Sequence, residues 1–149
     1  MKRFEFRLDR VLEWRQTELD LELAGLGRLT AEAQAIDRRR AEVEAERSAA
    51  EQSLVSSTTV EAQQLAALDA FRAWALQERV RLVQARTACE TGIGEQRQRV
   101  LEARRRLRLL EKLKGTRKSE WEAQFSRETE NLAGELYLAR RARPVARST

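Results

Sequence analysis

The sequence predicts an all-α protein folded as a long antiparallel two-helix coiled-coil hairpin. Three observations lead there. Charged residues make up 36% and aromatics 5% of the 149 positions, a mixture that suits helices burying one narrow seam rather than a globular core. The apolar residues recur at steps of three and four, which is the spacing of one helix face. The polar run SSTT, Ser56–Thr59, is the one clear turn signal inside that pattern. Opposite charges are interspersed, so the high charge does not read as disorder.

The first arm carries the better pattern. A strict alternation of four and three lands on Leu8, Leu12, Arg15, Leu19, Glu22, Leu26, Leu29, and then on Ala33, Ile36, Arg40, Val43, Arg47, Ala50 and Leu54. Ten of these fourteen are apolar, a sustained seam of period 3.5. At 1.5 Å per residue such an arm is roughly 70 Å long. The polar intrusions cluster toward its end, where looser packing is expected. Thr58 followed by Glu61 matches a capping box, in which hydroxyl and carboxylate each satisfy an orphan backbone donor, so a new helix is expected there.

The second arm shows Val100, Ala103, Leu107, Leu110, Trp121, Phe125, Leu132 and Leu136. Lys114 and Arg117 fill its one break, where their aliphatic stems can lie along the seam. Pro144 in the polar RARPVARST ending marks the stop. The expected plan is a single hairpin over 1–149: arm one about 5–54, a turn at 55–59, a tip segment over 60–77, arm two over 78–141, and a flexible tail over 142–149. A parallel dimer of one continuous rod is the competing geometry. The arms are unequal, so either residues 60–77 fold as a short separate helix at the tip or one end overhangs. Gly92 and Gly94 offer a weak point for a bend.

Chemistry is hard to place on this chain. It contains no histidine, which removes the commonest general base and zinc ligand together. Cys89 is the lone cysteine, so it is expected as an ordinary seam or flank residue in a reduced, cytosolic chain. Its carboxylates are scattered along helix faces, with no cleft to hold two at a catalytic distance. Gly92-Ile93-Gly94 and Lys114-Gly115-Thr116 complete no phosphate loop. Neither an enzyme nor a bound cofactor or metal is expected. The basic start MKRFEFRLDR has no apolar run behind it, so no signal peptide is read. No stretch reaches the roughly 20 apolar residues of a membrane span, so a soluble protein is expected.

Positive charge is local. From Arg97 to Lys118, ten Lys or Arg stand against two Glu, while the net charge of the whole chain is +5. Arg104, Arg105, Arg106 and Arg108 read as pointing to several sides of a helix rather than along one stripe, which argues against duplex binding. Glu42, Glu44, Glu46 and Glu51 are expected beside Arg97 to Arg106, as flanking ion pairs. The run therefore reads as a self-paired or protein-contact face, with nucleic acid not expected. Leu101, Leu109 and Leu113 sit beside the seam and read as a widened apolar face. Phe71, Trp74 and Leu76 read either as a local cluster capping the tip or as an exposed anchor for a partner.

Two stretches resemble the FliJ family, the small coiled-coil component of the bacterial flagellar type III export apparatus. FEFRLDRVLEWRQTE is similar to that family's opening, with Phe4, Phe6, Leu8, Val11, Leu12, Arg15 and Glu18 in matching positions. RQRVLEARRRLRLLEKLKGTRKSEWEAQ resembles its basic helix, through Leu101, Ala103, Arg104, Leu110, Glu111, Leu113 and Lys114. Gly115 departs from the pattern, which more often has a charged helix former there. The resemblance implies an antiparallel coiled coil similar to the central stalk of rotary ATPases. It implies insertion into the export ATPase hexamer (FliI-like), contact with the export gate protein (FlhA-like), and in some members escort of export chaperones. Injectisome relatives do the equivalent work. The location implied is cytoplasmic, peripheral to the inner membrane at the flagellar base and without membrane insertion. Candidate ATPase contacts are Phe4, Phe6, Arg7, Arg104, Arg105, Arg106, Arg108, Lys112 and Lys114. Candidate gate contacts are Phe71, Trp74 and Leu76. A generic coiled-coil scaffold is the alternative, and a helical nucleic-acid-binding protein a more distant one.

Overall fold

A computed structural model of the chain describes residues 3–143. It is all-α: helix α1 (Asp9–Val55, 47 residues) and helix α2 (Ala62–Ala142, 81 residues) pack against each other as an antiparallel hairpin. The helices begin and end where local chemistry allows. Asp9 opens α1 with negative charge in its first turn, the favourable sign beside a helix N-terminus. At the other end no glycine closes α1; the hydroxyls of Ser56 and Ser57 donate back to the Ser53 carbonyl at 3.1 and 3.0 Å. Those bonds occupy a carbonyl that the last turn leaves without a helical partner.

The turn lies later than expected. Residues 56–61 separate the helices, and α2 starts at Ala62 rather than just after Thr58. Glu61 is the capping residue. Its N–H donates to the Gln64 side-chain oxygen at 3.1 Å, while the Gln64 N–H donates to the Glu61 carbonyl at 3.0 Å. The reciprocal cap is thus built three residues downstream of the Thr58/Glu61 pair, because the third helical residue that it needs is Gln64. The separate tip helix over 60–77 does not form either. α2 runs unbroken from Ala62, through Gly92 and Gly94, so the excess length of the second arm appears as an overhang beyond residue 125. Arm one is likewise shorter than expected at its start, since residues 3–8 precede the helix. The tail expected at 142–149 begins inside α2 at Ala142 and, from Pro144, lies outside the described residues.

Contacts gather into two units, one of Glu18–Ala103 and one of the residues up to Thr17 with those from Arg104 onward. Within the first, the seam is buried at Leu19, Ala33 and Val43 on α1 and at Ala75, Leu82, Cys89, Val100 and Ala103 on α2. Val43, Ala75 and Leu82 form a buried apolar cluster, with Ile36 against it. The register follows from cross-helix pairs. Arg72 Nε donates to Glu51 at 2.9 Å and Arg86 Nε to Asp37 at 3.1 Å. The acidic residues Glu42, Glu44 and Glu46 therefore do not face Arg97 to Arg106; they pair with Arg39 and Arg47 of their own helix. A two-helix seam has one contact face per helix, so the turn position alone sets which charges meet.

Polar and small layers interrupt this seam, and among the described residues they leave one buried polar atom, Arg47 Nε, without a hydrogen-bond partner. Gln96 Nε2 donates to the Glu22 carbonyl at 2.9 Å and also to the Glu22 carboxylate, the kind of single polar layer that specifies register. Cys89 is buried and its thiol points to the Leu29 carbonyl at 3.2 Å, as a small hydrophobe with a weak donor. Arg40, drawn on the seam, is exposed, and Arg39 takes the half-buried position beside it. Glu78 accepts from Arg81 at 2.9 Å, and that hydrogen bond holds its carboxyl below the usual carboxylate range.

The glycines of α2 are not hinges. A Cβ on Gly94 meets nothing within 4 Å, and the helix is continuous there. Gly94→Ala is therefore expected to raise stability by about 0.5–1 kcal/mol through helix propensity alone. Urea unfolding followed by circular dichroism checks this, and a loss of stability would mean that the backbone there departs from a regular helix.

Candidate protein-contact surfaces

The unit holding the termini is assembled around the short segment before α1. Phe6 is buried. Lys114, half-buried on α2, holds its ammonium 5.9 Å from the Phe6 ring centroid and 2.7 Å from Asp9 Oδ1. Its stem fills the break in the second seam and its charge ends on a carboxylate. Phe4 tilts against Trp121 at 6.0 Å between centroids, and Trp121 stacks on Phe125 at 5.4 Å and 15°. These contacts lay residues 3–8 along α2 in continuation of α1. Between them lies an open hollow of about 910 Å³, lined in part by Phe4, Phe6, Leu8, Leu113, Arg117 and Trp121.

That geometry divides the candidate ATPase contacts. Phe6 and Lys114 are internal props, engaged by each other and by Asp9. Phe4 is half-buried and Arg7 exposed at the rim of the hollow. Arg104, Arg105, Arg106, Arg108 and Lys112 are all exposed. Their distribution differs from the expected scatter. At about 100° per residue, Arg104, Arg105, Arg108 and Lys112 fall within an arc of about 100° on the side of α2 away from the seam, and only Arg106 leaves it. Arg104, Arg105, Arg108 and Lys112 make no ion pair among the described residues, so this part of the run is not self-paired. The face is a compact outward stripe of positive charge, with exposed Leu109 beside it.

Of two further exposed groups, Val11 entered the sequence reading only through the family resemblance and Trp14 not at all. Val11 and Trp14 are exposed on α1, with the Arg15 guanidinium 4.8 Å from the Trp14 ring centroid. Their signal was available, since neither falls on the drawn seam. Leu101, Leu109 and Leu113 do not widen the buried face, because all three are exposed. Leu132 and Leu136 are also exposed, at 57% each. They keep the helical spacing of a seam, but α1 has no residue to set against them.

Near the turn, Phe71 and Trp74 pair with ring centroids 5.5 Å apart. Phe71 is half-buried and Trp74 exposed, so the pair is partly a local cap and partly surface. Leu76 is not brought to them. It lies about 140° around the helix from Phe71 and shares an exposed stripe with Val80 and Val83 at steps of four and three.

Among the described residues no group of His, Cys, Asp and Glu could hold a metal ion. No helix among them is long and apolar enough to cross a membrane. What the arrangement offers is protein-contact chemistry: an unpaired cationic stripe, an aromatic hollow and short apolar stripes on helix faces. Comparison with family models, with curated proteins and with solved structures finds no match.

Proposed function

We propose that this chain is a non-enzymatic, stalk-like coiled coil of a type III protein export apparatus, similar to FliJ, that binds and stimulates an export ATPase ring. One observation carries the reading. The two stretches that resemble the family pack on each other in the terminal unit, through Phe4 on Trp121, Phe6 under Lys114 and Asp9 with Lys114. Their pairing leaves Arg104, Arg105, Arg108 and Lys112 pointing outward and unmatched. Such a stripe suits the acidic loops of a ring, where complementary potentials speed encounter and fix orientation. On this reading the chain works in the cytoplasm, peripherally at the inner membrane of the flagellar or injectisome base. It contacts an FlhA-like gate through Phe71 and Trp74, and escorts export chaperones.

The test is reconstitution. Titrating the full chain into the export ATPase of the same organism should raise its ATP hydrolysis. The Phe71→Ala, Trp74→Ala double variant should keep that stimulation while losing most of its binding to the gate protein, since these rings lie by the turn and not at the termini. No stimulation by the folded wild-type chain sinks the proposal. A gel shift of DNA at physiological salt, with no effect on the ATPase, would turn the cationic stripe into a phosphate-binding surface instead, because phosphate binding is sequence-tolerant and falls steeply with salt.

A further inference from the structure

The aromatic hollow of the terminal unit continues along the hairpin as a groove. Residues 7 and 8 form the turn into α1, where the Asp9 N–H donates to the Phe6 carbonyl at 3.1 Å. Val11 and Trp14 follow Arg7 at steps of four and three, within an arc of about 60°. On α2, Leu113 and Leu109 precede Arg117 at steps of four, within an arc of about 80°. Arg7, Leu113 and Arg117 all line the hollow, so both rows set out from it. The helices are antiparallel, and the Asp9–Lys114 pair sets Trp14 level with Leu109. The two rows therefore run side by side on one face. Val11, Trp14, Leu109 and Leu113 are exposed along them, and a continuous exposed apolar patch of this kind marks a contact surface.

We infer that this groove docks an amphipathic helix of another protein, one with acidic residues flanking its apolar stripe. Shape selects the helix: two helices with large apolar groups on one face complete their packing with a third laid between them. From Trp121 to Leu109 the groove runs about 18 Å, the length of roughly three helical turns. Charge selects the sign of the partner. Arg3, Arg7 and Arg10 line an adjoining hollow with Glu5 and Asp9, and Arg10 lies one turn before Trp14. Asp9 is engaged by Lys114 and Arg117 by Glu120. Arg3, Arg7 and Arg10 make no ion pair among the described residues, so they stand against Glu5 alone. Acidic flanks meet these cations, and basic flanks are repelled by them. A second copy fits poorly, since an isologous contact sets each groove's arginines against their own equivalents. A bilayer fits poorly too, because a flat surface leaves the hollow unfilled. The groove is independent of the export reading, because it uses neither the outward cationic stripe nor the aromatic pair by the turn.

The probe is a displayed library of helical peptides of about 16 residues, with Leu at steps of three and four and flanking positions drawn from Glu, Lys and Gln. Selection on the full chain in physiological salt should enrich Glu at the flanks. The best peptides, made synthetically, should bind with a Kd on the order of 10 μM. Trp14→Gln with Leu109→Gln should weaken that binding by about tenfold or more, with helicity unchanged because both sites are exposed. Arg7→Glu with Arg10→Glu should shift the selected flanks from Glu to Lys. A selection that enriches no Leu-patterned peptide overturns the proposal. Binding that survives the Trp14 and Leu109 changes, or flanks indifferent to sign, overturns it equally. Two further assays name the other occupants: flotation with phosphatidylserine-containing vesicles, and sedimentation equilibrium of the chain alone. If the wild type binds vesicles or dimerises and the Trp14, Leu109 variant does not, the groove holds a bilayer or a second copy and the proposal falls.

Discussion

Replacing Leu82 by Asp is expected to lower the stability of the hairpin by about 3–5 kcal/mol, the largest loss of any single change considered. Leu82 is 4% exposed and packs with Val43 and Ala75, with Ile36 against the cluster. Removing its isobutyl group leaves a gap between two helices that cannot close without losing their neighbouring contacts. A carboxylate in that gap also loses water, and protonation or a shift toward Arg79 recovers only part of the loss. The comparison that gives the result meaning is Leu132→Ala. That side chain is mostly exposed, so the same removal of volume should cost no more than a few tenths of a kcal/mol in dilute solution. Chemical denaturation followed at 222 nm measures both. Equal losses would mean that the overhanging turns are packed as tightly as the seam, and the register above would be wrong.

Reversing Arg104, Arg105 and Arg108 to Glu together is expected to abolish stimulation of the export ATPase while the chain stays helical. All three side chains are exposed and none forms an ion pair among the described residues, so their loss removes no internal bond. Reversal turns three attractions into three repulsions at an acidic surface, and like-charge contacts there cost several kcal/mol. Salt offers an independent reading. The wild-type effect should weaken as ionic strength rises, since exposed charges are screened beyond about 8 Å at physiological salt. Lys114→Met is the informative contrast. Lys114 is engaged with Asp9 and lies over Phe6, so its loss should loosen the terminal segment rather than remove a ring contact. A triple reversal that still stimulates in full would place the ATPase contact elsewhere, with the aromatic hollow the next candidate.

The sequence by itself determined the fold class and the first arm's seam. Leu19, Ala33 and Val43 are buried where a period of 3.5 puts them, because a helix with one apolar stripe has only one face to bury. Cys89 as an ordinary seam or flank residue, and Lys114 as a cation lying along the seam, were legible for the same reason, and the packing puts Cys89 in the seam. Tertiary structure alone decided which charges meet. α2 running unbroken from the turn at 56–61, with its excess length left beyond residue 125 rather than spent near the turn, sets the pairs Glu51–Arg72 and Asp37–Arg86, and it places Glu42, Glu44 and Glu46 away from the basic run. Periodicity says which side of a helix is apolar but not whether a partner reaches it. Leu132 and Leu136 keep the period of a seam and are nonetheless exposed, because among the described residues the segment before α1 reaches along α2 to Trp121, through Phe4. The same limit applied to the arginines. Their residue type was plain in the sequence, but whether they pair inward or point outward depends on where the opposite helix lies, and that is a property of the packed hairpin.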